Sequence, residues 1–299
     1  MRVLFLLLPA VLTAAESQWV ATPVTPEKSF TGGIEGPVCD AAGNVFAVSY
    51  QKEGTIGKLA PDGTLSLFAV IPNSGRANGL RIDSQGFLIA ADYVKHIVHR
   101  IDPKTGQFLE NLAADWKGTQ FRQPNDVGIA SDDTIYFTDP DWSSPTGGRI
   151  FMITRPPNRR TVLLDEALDT PNGITVSPDD RRVYVGQSHP CNILVYDRQP
   201  DGTLRNKRVH IDFKANGIQK ALPDGIRCDV KGNLYVSMVL LGKVLIVSPD
   251  GKLNPKSIQS LGNSPANVTF CGPKRKVLYI TEKEHGRLER VKTQFPGVR

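Results

Sequence analysis

Short apolar runs bounded by polar turn residues recur along the chain, while apolar residues at helical spacing form no stretch of useful length. Six runs align on an aromatic-bearing pattern: "GNVFAVSY" from residue 43, "GFLIAADY" from 86, "DTIYFTDP" from 133, "RRVYVGQS" from 181, "GNLYVSMV" from 232 and "KVLYITEK" from 276. Each reads as a short strand. Each is followed by further strand-like segments, such as "TIGKLAPDGTLSLFAV" and "KVLIVSPDGKL", most joined by DG or TG pairs suited to tight hairpins. A shorter apolar segment precedes every run, and a polar residue opens it: Glu35, Asn78, Asn125, Asn172, Asp224 and Asn267. These openers stand 43 to 52 residues apart, the length of one four-stranded propeller blade. The pattern predicts an all-β, six-bladed β-propeller forming one domain over residues 16–299, with a central metal-binding channel. "SQWVATPV" is expected to supply the outer strand of the last blade and so close the ring, removing a free sheet edge.

The first residues, "MRVLFLLLPAVLTAAESQ", combine an early Arg2, a short apolar run and small residues at Thr13 and Ala15. That layout predicts a signal peptide over 1–15 and an exported, secreted or periplasmic protein. No later segment approaches the roughly 20 apolar residues of a membrane-spanning helix. The formal charge of +6 raises the question of nucleic acid, but Lys and Arg are nowhere concentrated among aromatics; "NRR" (158–160) and "PKRK" (273–276) read as solvated turns. A soluble monomer acting on a small molecule, with neither nucleic acid nor membrane as partner, is the expectation. Cys39, Cys191, Cys228 and Cys271 show no CxxC pairing, which argues against a zinc site. Packed thiols within strands are expected, with a disulfide as the alternative that export would permit.

In a propeller the first strand of each blade lines the central channel, so the six openers converge on one end of it. Carboxylates brought together there repel unless a cation lies between them. Oxygen-only donors of mixed carboxylate and amide type suit a hard cation, Ca²⁺ ahead of Mg²⁺ or Mn²⁺, and the lack of His or Cys disfavours Zn²⁺ as more than a substitute. The competing explanation is turn chemistry, because Asn-Gly and Asp-Gly pairs form turns readily. It accounts for Asn78-Gly79, Asn172-Gly173 and Asp224-Gly225 but not for Glu35 at the same place, nor for the Pro preceding three of the openers.

The motifs "EGP", "PND…YFTDP", "PNG" and "PDG…GNLYV", in that order around the repeats, resemble the senescence marker protein (regucalcin)/gluconolactonase/luciferin-regenerating-enzyme-like family over nearly the whole mature chain. The resemblance implies calcium ligands at Glu35, Asn172 and Asp224, with Asn125 as a fourth ligand or a substrate contact, and Asp126 supporting the site from beneath. It implies a gluconolactonase-like hydrolase, in which the metal polarises the lactone carbonyl, Asp224 takes the proton of the attacking water, and Asn125 and Arg122 hold the sugar. The sequence departs from the family around Arg122, which stands three residues before Asn125 where an Arg two before is expected. Asp139 and Asp141 read as loop caps rather than substrate contacts, and His189 as a loop residue near the mouth of the pocket. His96 and His99 read as outer-strand surface residues. Hydrolysis of phosphotriesters or aromatic lactones on the same site, or calcium binding without catalysis, are the alternatives.

Overall fold

The computed structural model describes residues 19–298 and contains six antiparallel sheets arranged as the blades of a β-propeller. The leader expected over 1–15 lies outside the described residues. In chain order the inner strands are Val38–Cys39, Ala77–Ile82, Val127–Ile129, Pro171–Val176, Leu222–Cys228 and Pro265–Cys271. The second strands are Val45–Val48, Leu88–Asp92, Ile135–Asp139, Arg182–Gln187, Leu234–Val239 and Val277–Glu282, which are the aromatic-bearing runs of the sequence. The N-terminal segment closes the ring more elaborately than expected. Thr22–Pro23 pairs with Arg287–Lys292 as the outer strand of blade 6, while Trp19–Val20 runs parallel to Leu253–Gln259 and adds a fifth strand to blade 5.

The second strands are continuously apolar because each blade is covered on both faces. Strand side chains alternate between faces, and here the two faces belong to two different blade interfaces. In blade 3, Ile135 and Phe137 pack toward blade 2, whereas Tyr136 packs toward blade 4. In blade 5, Leu234 and Val236 face blade 4 and Tyr235 faces blade 6. Six buried apolar clusters, one at each junction between neighbouring blades, make up the core of the described residues.

Around the channel the inner strands approach so closely that side chains are excluded. A Cβ on Gly173 would lie 2.1 Å from the carbonyl oxygen of Asp224, and one on Gly36 would lie 2.0 Å from that of Asn78. Gly173 and Gly225 do not have left-handed φ values. The Asn78-Gly79, Asn172-Gly173 and Asp224-Gly225 pairs lie within inner strands and are not turns; their glycines admit the next blade.

The pairing register also corrects the sixth repeat. Val127, Ile226 and Val268 lie opposite Phe137, Val236 and Ile280, which are equivalent residues of their second strands. Asn267 is therefore the counterpart of Asp126 and Gly225, and Ala266, not Asn267, is the counterpart of Asp224. Asn267 accepts the Val268 N–H on Oδ1 at 2.9 Å, as Asp126 accepts that of Val127 at 2.9 Å. Cys271 is shifted by the same residue, onto the strand face opposite that of Cys39 and Cys228. It meets Cys39 of blade 1 in a disulfide with a Cα–Cα distance of 5.5 Å. The expectation of packed thiols holds for Cys191 and Cys228, both buried and free, and fails for this pair.

The bridge links the first and last blades across 232 residues of sequence and so restrains the unfolded chain strongly. Removing it in Cys39→Ser/Cys271→Ser should lower unfolding stability by about 2–5 kcal/mol in urea titration. Thiol titration of the denatured wild type should find two free thiols before reduction and four after it.

Candidate functional site

A cleft of about 540 Å³, its open mouth included, lies at the end of the channel where the inner strands begin. Glu35, Asn78, Asn125, Asn172 and Asp224 line it, so five of the six openers converge as the repeat predicted. Blade 6 contributes no opener, because Ala266 stands at that place. A second tier comes from residues at the ends of the second strands, Ser188, Val239 and Lys283, with Trp142 and His189 at the rim.

Glu35 and Asp224 are buried, and the Lys283 ammonium spans them, 3.1 Å from Glu35 Oε1 and 3.5 Å from Asp224 Oδ2. Burial drives the Asp224 carboxyl well above the usual carboxylate range, and the charge of Glu35 adds to the push while Lys283 opposes it. For Lys283 burial works in the other direction, but the two carboxylates outweigh it and hold its pKa above that of a free lysine. Two amide oxygens, Asn125 Oδ1 and Asn172 Oδ1, are buried without a hydrogen-bond partner. Unpaired buried acceptors are costly and uncommon. The Asn172 amide is oriented by its other end: Nδ2 donates to Ser188 Oγ at 3.0 Å, and that hydroxyl donates to the Pro223 carbonyl at 2.8 Å. Two buried carboxylates and two orphaned amide oxygens around one cleft are the donor set of a hard divalent cation, and these residues fit such an ion.

Below this ring, Asp126 is fully buried. Its Oδ2 accepts the Ile174 N–H at 3.3 Å and faces Arg227 Nη1 at 3.4 Å and Arg81 Nη2 at 3.6 Å. Burial lifts its pKa to about 6 even though Arg81 opposes the shift. Asp126 thus ties blade 3 to blade 4 and neutralises arginines from blades 2 and 5. Asp126→Ala should leave two buried guanidinium groups without their carboxylate. A loss of roughly 3–5 kcal/mol in unfolding free energy is expected by chemical denaturation.

Other assignments change. Arg122 does not line the cleft; its side chain is 40% exposed, with Nε 3.5 Å from Asp141 Oδ2. Asp141 also accepts from the Ser143 backbone at 3.0 Å, so the loop-cap reading holds. Asp139 accepts the Arg122 and Gln123 N–H groups at 2.8 and 2.7 Å, fixing the approach to Asn125, and pairs with Arg149. His189 both belongs to a loop and borders the cleft. His99 is buried between Asp92 and Asn111 rather than on the surface. The sequence reading missed Lys283 and Trp142. Lys283 carried a signal: it is the eighth residue of its aligned run, where Ser188 and Val239 also stand. Behind it, Glu282 accepts the N–H groups of Glu284 and His285 at 3.0 and 2.8 Å and the His285 ring at 2.7 Å, which makes the neighbouring Glu282–Glu284–His285 cluster a clamp for the turn.

The chain is 28% identical to a gluconolactonase of Zymomonas mobilis over 92% of its own length and 83% of that protein. It is 27% identical to a 6-deoxy-6-sulfogluconolactonase of Pseudomonas putida, over 78% of this chain and 77% of that one. Among solved structures, a gluconolactonase from Xanthomonas campestris superposes with a TM-score of 0.76 at 23% identity, covering 90% and 88% of the two chains. A calcium-binding regucalcin from Agrobacterium tumefaciens gives 0.74 at 19% identity, covering 94% and 99%. The SMP-30/Gluconolactonase/LRE-like region matches residues 35–284, and the chain belongs to that family.

Proposed function

We propose that this protein is a divalent-cation-dependent hydrolase that opens sugar lactones, with Ca²⁺ as the resident ion. The observation that carries the reading is the pair of orphaned amide oxygens, Asn125 Oδ1 and Asn172 Oδ1, set beside the buried carboxylates Glu35 and Asp224. Glu35, Asn125, Asn172 and Asp224 would hold the ion; Mg²⁺ or Mn²⁺ would be accepted by the same oxygens less well. When bound, the cation would polarise the lactone carbonyl and stabilise negative charge developing on its oxygen. The gluconolactonase relatives support a lactone as substrate.

Asp224 is assigned as general base. It lines the cleft, while Asn125 and Asn172 offer amides that cannot take up a proton at neutral pH. The Glu35 carboxylate accepts the Gly36 N–H at 3.0 Å and is anchored for binding rather than proton transfer. Trp142 and His189, whose ring centroids are 6.4 Å apart, would flank the sugar at the mouth. Arg122 is not among the residues lining the cleft and is not assigned a grip on the substrate. The Cys39–Cys271 bridge fits an oxidising compartment, which supports export.

Hydrolysis of glucono-δ-lactone in a pH-stat, corrected for spontaneous opening, tests the reading. Turnover should vanish with chelator and return with Ca²⁺. Asp224→Asn should lower kcat by about 10²–10⁴-fold, the range for loss of a general base. Glu35→Gln should weaken calcium binding in titration calorimetry, and wild-type affinity in that variant would remove Glu35 from the ligand set. No lactone turnover by the calcium-loaded wild type would overturn the proposed activity.

A further inference from the structure

The charges along the channel balance only while no divalent cation is bound. Glu35, Asp224 and Asp126 supply three negative charges, and Lys283, Arg81 and Arg227 supply three positive ones, paired in two clusters: Lys283 with Glu35 and Asp224, and the two arginines with Asp126. The axis is balanced without any metal. A divalent cation on Glu35 and Asp224 would bring the sum to +2. It would also take over the two carboxylates that now face Lys283, leaving the ammonium without an unshared counter-charge. Of the acidic residues beside the rim residues, Asp141 already faces Arg122 and Asp169 already faces His189. Lys283 is aimed into the cleft by its fixed turn: its own N–H donates to the Ser264 carbonyl at 3.0 Å, and Glu282 clamps the residues that follow. Its side chain is 31% exposed, and it lines the cleft on the blade 6 side, where Ala266 leaves room.

We propose that Lys283 is a specificity-determining residue that binds an anionic substituent of the substrate, so that the preferred lactones carry a carboxylate, sulfonate or phosphate group in addition to the ring ester. This rests on the lactonase reading and narrows its substrate class. A buried or half-buried ammonium facing an oxyanion forms a charge-assisted hydrogen bond, which neutral sugars cannot match. Discrimination arises from the unpaired charge as much as from the contact, since a neutral substrate leaves Lys283 unsatisfied.

The test compares kcat/KM for glucono-δ-lactone, 6-phosphoglucono-δ-lactone and glucaro-1,4-lactone in the calcium-loaded wild type, Lys283→Met and Lys283→Arg. The wild type should favour at least one anionic lactone over the neutral one by about tenfold or more, ~1.4 kcal/mol. Lys283→Met should bring that ratio close to one, and Lys283→Arg should restore part of it. Which of the two anionic lactones gains identifies the group that is read. Calorimetry supplies a readout independent of turnover. Glucarate should bind the calcium-loaded wild type about tenfold more tightly than gluconate, and Lys283→Met should lose that difference. Calcium itself should bind Lys283→Met more tightly, because the ammonium no longer shares Glu35 and Asp224. Equal treatment of anionic and neutral lactones by the wild type, or a preference that survives Lys283→Met, overturns the proposal. If no lactone is turned over, the lactonase reading fails, and the glucarate titration still decides the role of Lys283.

Discussion

Every sheet in this molecule must be covered on both faces, and only its neighbours can cover it. Runs such as "LIAA", "IYF" and "LYV" have no polar alternation because their odd and even residues pack into two different junctions. A ring satisfies all six sheets at once, provided the last blade can meet the first. The N-terminal strand at Thr22–Pro23 and the Cys39–Cys271 bridge both act at that closure. Convergence at the axis follows from the same constraint. Blades packed face to face must narrow toward the centre, until at Gly36 and Gly173 there is no space for a Cβ.

That narrowing sets the chemistry. Residues placed one position before those glycines are forced into a small, half-dry volume, where a carboxylate cannot remain alone. The molecule answers with cations at two depths. Arg81 and Arg227 hold Asp126 in the interior, and Lys283 holds Glu35 and Asp224 at the mouth. The lower cluster is closed off and also stitches inner strands together. The upper one opens into the cleft and has two amide oxygens to spare. Depth therefore separates a structural charge cluster from a site able to exchange its cation.

The repeat made the fold legible, because strand length, turn residues and the spacing of the openers all pointed the same way. The meeting of Glu35, Asn125, Asn172 and Asp224 was legible for the same reason. What escaped were features that depend on register or on side-chain reach. A single-residue displacement in blade 6 put Asn267 in the structural row of Asp126 and moved Cys271 to the face that meets Cys39. Neither consequence can be read without the pairing partner, since the sequence around Asn267 looks like the other units. Arg122 shows the same dependence on reach: its place in the chain is close to Asn125, but the loop turns its guanidinium to Asp141. His99 was judged by its strand rather than by the face it occupies, and that face packs onto Asp92 and Phe108.

The displacement in blade 6 is also what breaks the symmetry of the site. Blades 1 to 5 each present an oxygen-bearing side chain to the cleft, and a sixth would have closed an even polar collar around one central ion. Ala266 opens the collar on one side, and the end of the neighbouring strand fills the opening with Lys283. A cation held by the remaining oxygens would have the carboxylates of blades 1 and 5 and the Lys283 ammonium as its charged neighbours. Under the proposed function, a substrate bound there would be directed by that asymmetry, toward the ammonium or toward Trp142 and His189 across the cleft. One side of the pocket is charged and the other aromatic, so a lactone with an anionic end would have a single orientation that satisfies both.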